Sequence, residues 1–400
     1  MPALSAGSAF AHRAASARTA FSVFFLSGML MCFPGAVLPT WGHHIGEDFL
    51  TIGAYFFALG AGLVASIQAS AFLLQRKDVQ FVVVSGCGLA SATLFYLAAV
   101  SPPVDWPWRA AGMFLVGLSA GMLNRSAFQS LTLTWERDAA STVNLAGIAF
   151  GLGCLLMALF LSSTFYVYTG RSSLILAALL PGFAAGIFAR RQFGSPVPHT
   201  DVPVARLWRD VRSPAAILFS LLLFFQFGNE WTVAGWLTVF AVHRAGVAPD
   251  DALQMLALFW GSLLVGRVTT QALLKSFGHG KLLISSAVAA MLGCLLLMAT
   301  DNSGGAWVGV LLFGLGSALI YPLVTEKIGH RFPDYHPGFF NGIFSFAVAG
   351  GLLAPATVAI GSHFWGVWVV MALPAAGTIL VFLLTLAIWL EARVSGGRRA

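Results

Sequence analysis

A chain of 400 residues that is 58% hydrophobic and 9% charged, with a mean hydropathy of +0.84, excludes a water-soluble globular protein. The composition belongs in a bilayer. The formal net charge of +7 therefore has to be read with the topology, and it gives no reason to expect nucleic acid as a partner.

A spanning helix needs about 20 mostly apolar residues, because in hydrocarbon the backbone must satisfy its own polar groups. Twelve stretches meet that condition: 21–41, 49–74, 80–99, 107–131, 140–162, 172–189, 214–241, 252–274, 281–300, 304–326, 338–361 and 364–390. Residues 1–20 ahead of them read as a cytoplasmic tail with Arg13 and Arg18, followed by a first helix that is retained rather than cleaved. The first loop, HHIGED, holds His43, His44, Glu47 and Asp48, a spacing that fits an ordinary polar loop better than a metal site. Cys32, Cys87, Cys154 and Cys294 each stand alone in an apolar stretch and read as packing residues. The longest connection, 190–213, is rich in proline and basic residues and divides a bundle at 21–189 from a second at 214–390, with a tail at 391–400.

Basic residues set the orientation. With both termini inside, seventeen Lys and Arg residues fall on the cytoplasmic side, Arg109, Arg171 and Arg244 fall outside, and Arg125 and Arg267 lie within helices. The two halves also repeat each other. Gly28 and Gly35 recur as Gly228 and Gly235, GMFLVGLSAG from Gly112 recurs as GVLLFGLGSA from Gly309, and Asn144 and Gly153 recur as Asn341 and Gly350, all at offsets of 197 to 200 residues. The expectation is an all-α membrane protein of twelve transmembrane helices, built as two pseudo-symmetric six-helix bundles.

Six plus six helices with a basic central loop resembles the major facilitator superfamily of secondary transporters. The segment GRVTTQALLKSFGHGKLL, beginning at Gly266, is similar to the superfamily's signature between the second and third helices of each half, which latches the inner gate. The resemblance implies gate roles for Arg267 and Gly278, and for Arg76 and Lys77 in the first-half copy LLQRKDVQF, which lacks the glycines. Within the superfamily, WTVAGWL after GNE, GLSAGMLN and VNLAGIAFGLG resemble the fucose permease branch, which imports neutral sugars with protons. Its two membrane carboxylates map onto Gly35 and Asn124, and its asparagine one turn beyond the second maps onto Phe128, so that branch's sugar chemistry does not transfer.

Polar residues inside the spans are the candidate site. In FFQFGNEWTVAGWLTVF, residues 224–240, Gln226 and Glu230 are four apart and share a helix face, with Asn229 beside them. A charged carboxylate at mid-bilayer costs about 2.5–3.5 kcal/mol, so Glu230 must be protonated, paired or facing water. A carboxyl moved between such settings binds and releases a proton, which makes Glu230 a proton or substrate contact; a hydrogen-bonded brace is the other reading. Arg125 with Asn124 and Gln129 offers donors to an anionic or polyhydroxy solute, or else reaches the inner interface or caps carbonyls. Asn144 and Asn341 either line the repeat interface or peg helices together. Tyr321 and Pro322, with Trp231 and Trp236, would supply an aromatic wall and helix irregularities.

The chain contains no Walker loop, HExxH pair, GxSxG elbow or dinucleotide fingerprint, so neither an enzyme nor a nucleotide-driven pump is expected, and no cofactor or metal. The expected function is secondary transport by a monomer in the plasma membrane (the inner membrane in a bacterium). A small polar or sugar-like solute would be imported with protons. Proton-coupled efflux of an amphipathic compound and a non-transporting sensor or scaffold remain as alternatives. A reporter fused after Ala400 or inserted near Pro196 should read cytoplasmic, and one near Asp250 external. An external fusion that behaves as cytoplasmic would overturn the span count.

Overall fold

The computed structural model describes residues 6–46, 48–131, 139–191, 193, 213–331 and 337–396; side chains are described for most of these, Asn341 being among those that are not. The described residues form twelve helices and no strand. They are α1 (Ala6–Thr40), α2 (Phe49–Arg76), α3 (Val79–Ala99), α4 (Trp106–Ser130), α5 (Ala139–Thr164), α6 (Gly170–Phe188), α7 (Pro214–Ala245), α8 (Pro249–Ser276), α9 (His279–Ala299), α10 (Ser303–Arg331), α11 (Pro337–Trp365) and α12 (Val369–Gly396). Eleven are long and apolar enough to cross a bilayer; α4, which carries Arg109, Asn124 and Arg125, is the exception.

Short polar side chains set the helix starts. Asp78 caps α3 by accepting from the Phe81 amide at 2.9 Å, Thr169 caps α6, and Ser213 caps α7 ahead of Pro214. Helix α7 stops at Gly246, whose φ of +63° is the left-handed turn that suits a glycine.

The chain divides into two compact units, Met1–Gly42 with Ala54–His199, and His43–Gly53 with Thr200–Ala400. Four helix pairings recur in both. In the first, α1 packs on α5 and α4, and α3 on α6 and α4; in the second, α7 packs on α11 and α10, and α9 on α12 and α10. The second unit also takes in the first turn of α2, where Phe49 rests against Trp236 and His243.

The pairing depends on glycines that let backbones touch. A Cβ on Gly28 would land on the Phe150 carbonyl oxygen of α5, and one on Gly153 would land on the Phe25 carbonyl of α1. The second unit repeats the crossing, with Gly350 of α11 over the Phe224 carbonyl of α7. Lipid gives no hydrophobic drive for helices to associate, so such close approach and its dispersion contacts have to supply the attraction.

A second device joins α3 and α6. The Gln80 amide, at the start of α3, donates to the carbonyls of Phe188 (3.1 Å) and Ala189 (2.7 Å) at the end of α6. Arg171, at the start of α6, donates to Ala98 (3.1 Å) and Ala99 (3.2 Å) at the end of α3. Each antiparallel helix thereby satisfies carbonyls its partner leaves open, with a cation at the negative end of the α3 dipole.

Replacing Gly153 by Val should lower the stability of the purified protein by more than about 2 kcal/mol, because the added atoms must displace backbone. Gly186→Ala, where a Cβ meets nothing within 4 Å, is the control and should leave the thermal unfolding temperature unchanged.

Candidate functional site

Helix α7 is buried on nearly every side, so each polar residue on it has to meet a partner helix. Gln226, Asn229 and Glu230 are 1%, 5% and 6% exposed. The i, i+4 spacing brings the Gln226 amide onto Glu230, Nε2 donating to Oε1 at 2.7 Å. From α8, the guanidinium of Arg267 acts electrostatically on the same carboxyl. The other face of the Gln226 amide, its Oε1, is buried without a hydrogen-bond donor. Carboxyl, amide and guanidinium thus form a polar set inside one unit, able to hold a proton or to bond hydroxyl groups.

Aromatic rings flank this set. Trp231 meets Trp260 of α8 edge to face at 5.9 Å, and a Cβ on Gly351 of α11 would come within 2.6 Å of the Trp231 ring. Phe227 packs on Tyr321 of α10 at 5.3 Å. Trp236 is fully buried and its Nε1–H donates to the Pro355 carbonyl of α11 at 2.8 Å. Tyr321 and Trp231 thus pack on rings of α7 and α8, whereas Trp236 is tied to α11.

Asn229 is directed elsewhere. Its Oδ1 lies against Gly377 of α12, where a Cβ would overlap it, and its Nδ2 is buried without an acceptor. The helical wheel separates Asn229 from Gln226 by three residues, and that turn of the helix carries it to a different neighbour.

The first unit holds the remaining candidates. Arg125 of α4 is half-buried and donates from Nη1 to the Ile67 carbonyl of α2 at 3.2 Å, a carbonyl-capping contact. Asn124 beside it has its Oδ1 buried without a donor. Phe128, at the position that the fucose permease pattern gives to asparagine, stacks edge-on against Phe24 at 4.8 Å and is 41% exposed. Gln129 and Asn144 are half-buried on α4 and α5. The side chain of Asn341 lies outside the described residues.

The expected gate residues are spread out. Arg76 and Lys77 are exposed and lie over the rings of Phe72 (4.1 Å) and Phe81 (5.6 Å). Gly278 has an ordinary φ of −62° and open space around it. The neighbour the sequence reading passed over, His279, makes the contact across helices: Nε2 lies 3.0 Å from the Leu323 carbonyl of α10 and Nδ1 lies 3.8 Å from Glu326. Nearby, Arg331 of α10 bonds Glu391 of α12 at 2.8 Å. A polar residue opening a helix beside a basic turn was the available signal for His279. Its partners on α10 lie more than 40 residues away and left no local trace.

Among the described residues no cluster of His, Cys, Asp or Glu is placed to hold a metal, and the four cysteines are buried and form no disulfide with one another. Glu47 of the first loop lies outside the described residues, and Asp48 of that loop accepts from the Thr51 amide at 3.3 Å.

The fold recurs in solved transporters. The nucleoside transporter NupG matches with a TM-score of 0.70 at 13% identity, over 92% of this chain and 99% of that one. The Escherichia coli fucose:proton symporter FucP matches with a TM-score of 0.62 at 16% identity, over 93% and 98%. In sequence, an uncharacterised MFS-type transporter of Yersinia pestis is 20% identical over 91% of this chain and 92% of its own length. A glucose/galactose transporter of Brucella abortus is 28% identical over 35% of this chain and 34% of its own. Residues 135–355, more than half of the chain, match the model of the Major Facilitator Superfamily. With the duplicated helix pairing described above, that match makes this multi-pass membrane protein a member of the Major Facilitator Superfamily.

Proposed function

We propose that the protein imports a small polar or sugar-like solute together with protons by alternating access, with both termini in the cytoplasm, and that Glu230 is the group that carries the proton. The observation behind this reading is the buried Glu230–Gln226 pair on α7 with the charge of Arg267 acting on it. The family supplies the transport mode. The sugar-like class draws support from the glucose/galactose transporter and the fucose:proton symporter among the similar proteins.

The pair is suited to both protonation states. When Glu230 is ionised, the Gln226 amide donates to it and Arg267 supplies the counter-charge. When Glu230 is neutral, its hydroxyl needs an acceptor, and a flip of the amide presents Gln226 Oε1 to it. In either state the carboxyl keeps a hydrogen-bond partner in Gln226, which lowers the cost of changing protonation. A solute whose hydroxyls engage Arg267 takes over part of that counter-charge, and a proton on Glu230 replaces it. Solute and proton then bind together, which is the requirement for symport.

The aromatic pairs Phe227–Tyr321 and Trp231–Trp260 favour one further reading, efflux of an amphipathic compound, because rings hold apolar surface as readily as a sugar face. A thermal-shift panel of sugars, organic acids and lipophilic cations on the purified protein separates the two, since a bound solute raises the unfolding temperature.

With a solute so identified, Glu230→Gln in proteoliposomes should abolish proton-driven accumulation and leave exchange between equal compartments largely intact. The amide keeps shape and hydrogen bonding but does not titrate. Loss of binding as well would assign Glu230 to the solute, and accumulation at the wild-type level would return it to a brace. Gln226→Leu should slow accumulation and lower stability by about 1–3 kcal/mol, the cost of leaving the carboxyl without its partner.

A further inference from the structure

Arg109 lies in the first turn of α4 and is only 9% exposed, although the sequence places it among the outer-loop charges. Its guanidinium carbon stands 5.4 Å from the centre of the Trp41 ring and 5.7 Å from that of Tyr55. Trp41 follows the end of α1 and is 5% exposed; Tyr55, on α2, is fully buried. Among the described residues Arg109 has no ion pair and no hydrogen bond, and its Nε–H is buried without an acceptor. The Trp41 Nε1–H is buried without an acceptor as well. The other described arginines that reach across helices are engaged: Arg171 on Ala98 and Ala99, Arg125 on Ile67, Arg331 on Glu391.

The orphan groups of Arg109 and Trp41 are both donors. Ring faces offset part of a cation's desolvation but accept no strong hydrogen bond, so a buried guanidinium between them keeps an unmet need for negative charge. Asp105, the exposed N-cap residue of α4 and the nearest carboxylate in sequence, makes no side-chain cap and no ion pair with Arg109. One buried cationic charge and two neighbouring donor residues left without acceptors define an anion site, and a single negative charge neutralises it.

We propose that the end of the first unit where α1, α2 and α4 meet binds a small monovalent anion, of halide or carboxylate size, held by the guanidinium of Arg109 and the indole N–H of Trp41. The site is separate from the Glu230 set and does not depend on it.

The test follows thermal unfolding of the full chain in detergent at constant ionic strength, with bulky gluconate replaced stepwise by chloride in one arm and by formate in the other. The expected result is a saturable rise in Tm. A rise with both anions describes a general monovalent-anion site, and a rise with formate alone describes a carboxylate site. Arg109→Gln should remove the rise, and Trp41→Phe, which keeps a ring but deletes the donor, should weaken the apparent affinity by about tenfold. A Tm indifferent to both anions, or an equal rise in Arg109→Gln, overturns the proposal. If Arg109→Gln does not fold, an unchanged midpoint in Trp41→Phe overturns it.

Discussion

Inside a bilayer a backbone carbonyl or amide has no water to turn to, and that single condition shapes every contact between these helices. Each helix satisfies its interior alone. What remains are the ends and the crossings, and the chain treats both through its backbone. Gln80 and Arg171 serve carbonyls at the ends of α6 and α3, Arg125 serves Ile67, and Gly28 and Gly153 bring α1 and α5 together on bare carbonyls. Arg125 and Arg171 are thus structural ties before they are anything else.

The Gln226–Glu230 pair stands out against that background, because it satisfies side chains and not backbone. A brace would be served as well by an amide pair, with no ionisable group to desolvate. Keeping a carboxylic acid buried on α7, within the field of Arg267, retains a group that changes charge. That is costly for packing and useful for transport, which is why the functional reading of α7 rests on it.

Much of this architecture was legible in the sequence, and the boundary of legibility follows range. Helix spans, the repeat of Gly28 and Gly153 as Gly228 and Gly350, and the shared face of Gln226 and Glu230 are periodic or local, so they can be read along one helix. Where Asn229 points was not legible, since Gly377 of α12 admits it and that residue is nearly 150 positions away. Arg267 reads as a gate residue from its motif, while its electrostatic link to Glu230 needs the α7–α8 crossing. Arg109 counts as an external charge until three helix ends are brought together around it.

The reciprocal ties between α3 and α6 also bear on how the protein is made. Arg171 is synthesised 72 residues after the Ala99 carbonyl it serves. At roughly 5–20 residues per second, α3 stands in the membrane for about 4–14 s before its terminal partner exists. During that interval the end of α3 must be held by water or by the insertion machinery, and the arrival of α6 releases it. Slow decoding between residues 100 and 170 would lengthen the exposure without changing a single residue of the finished molecule.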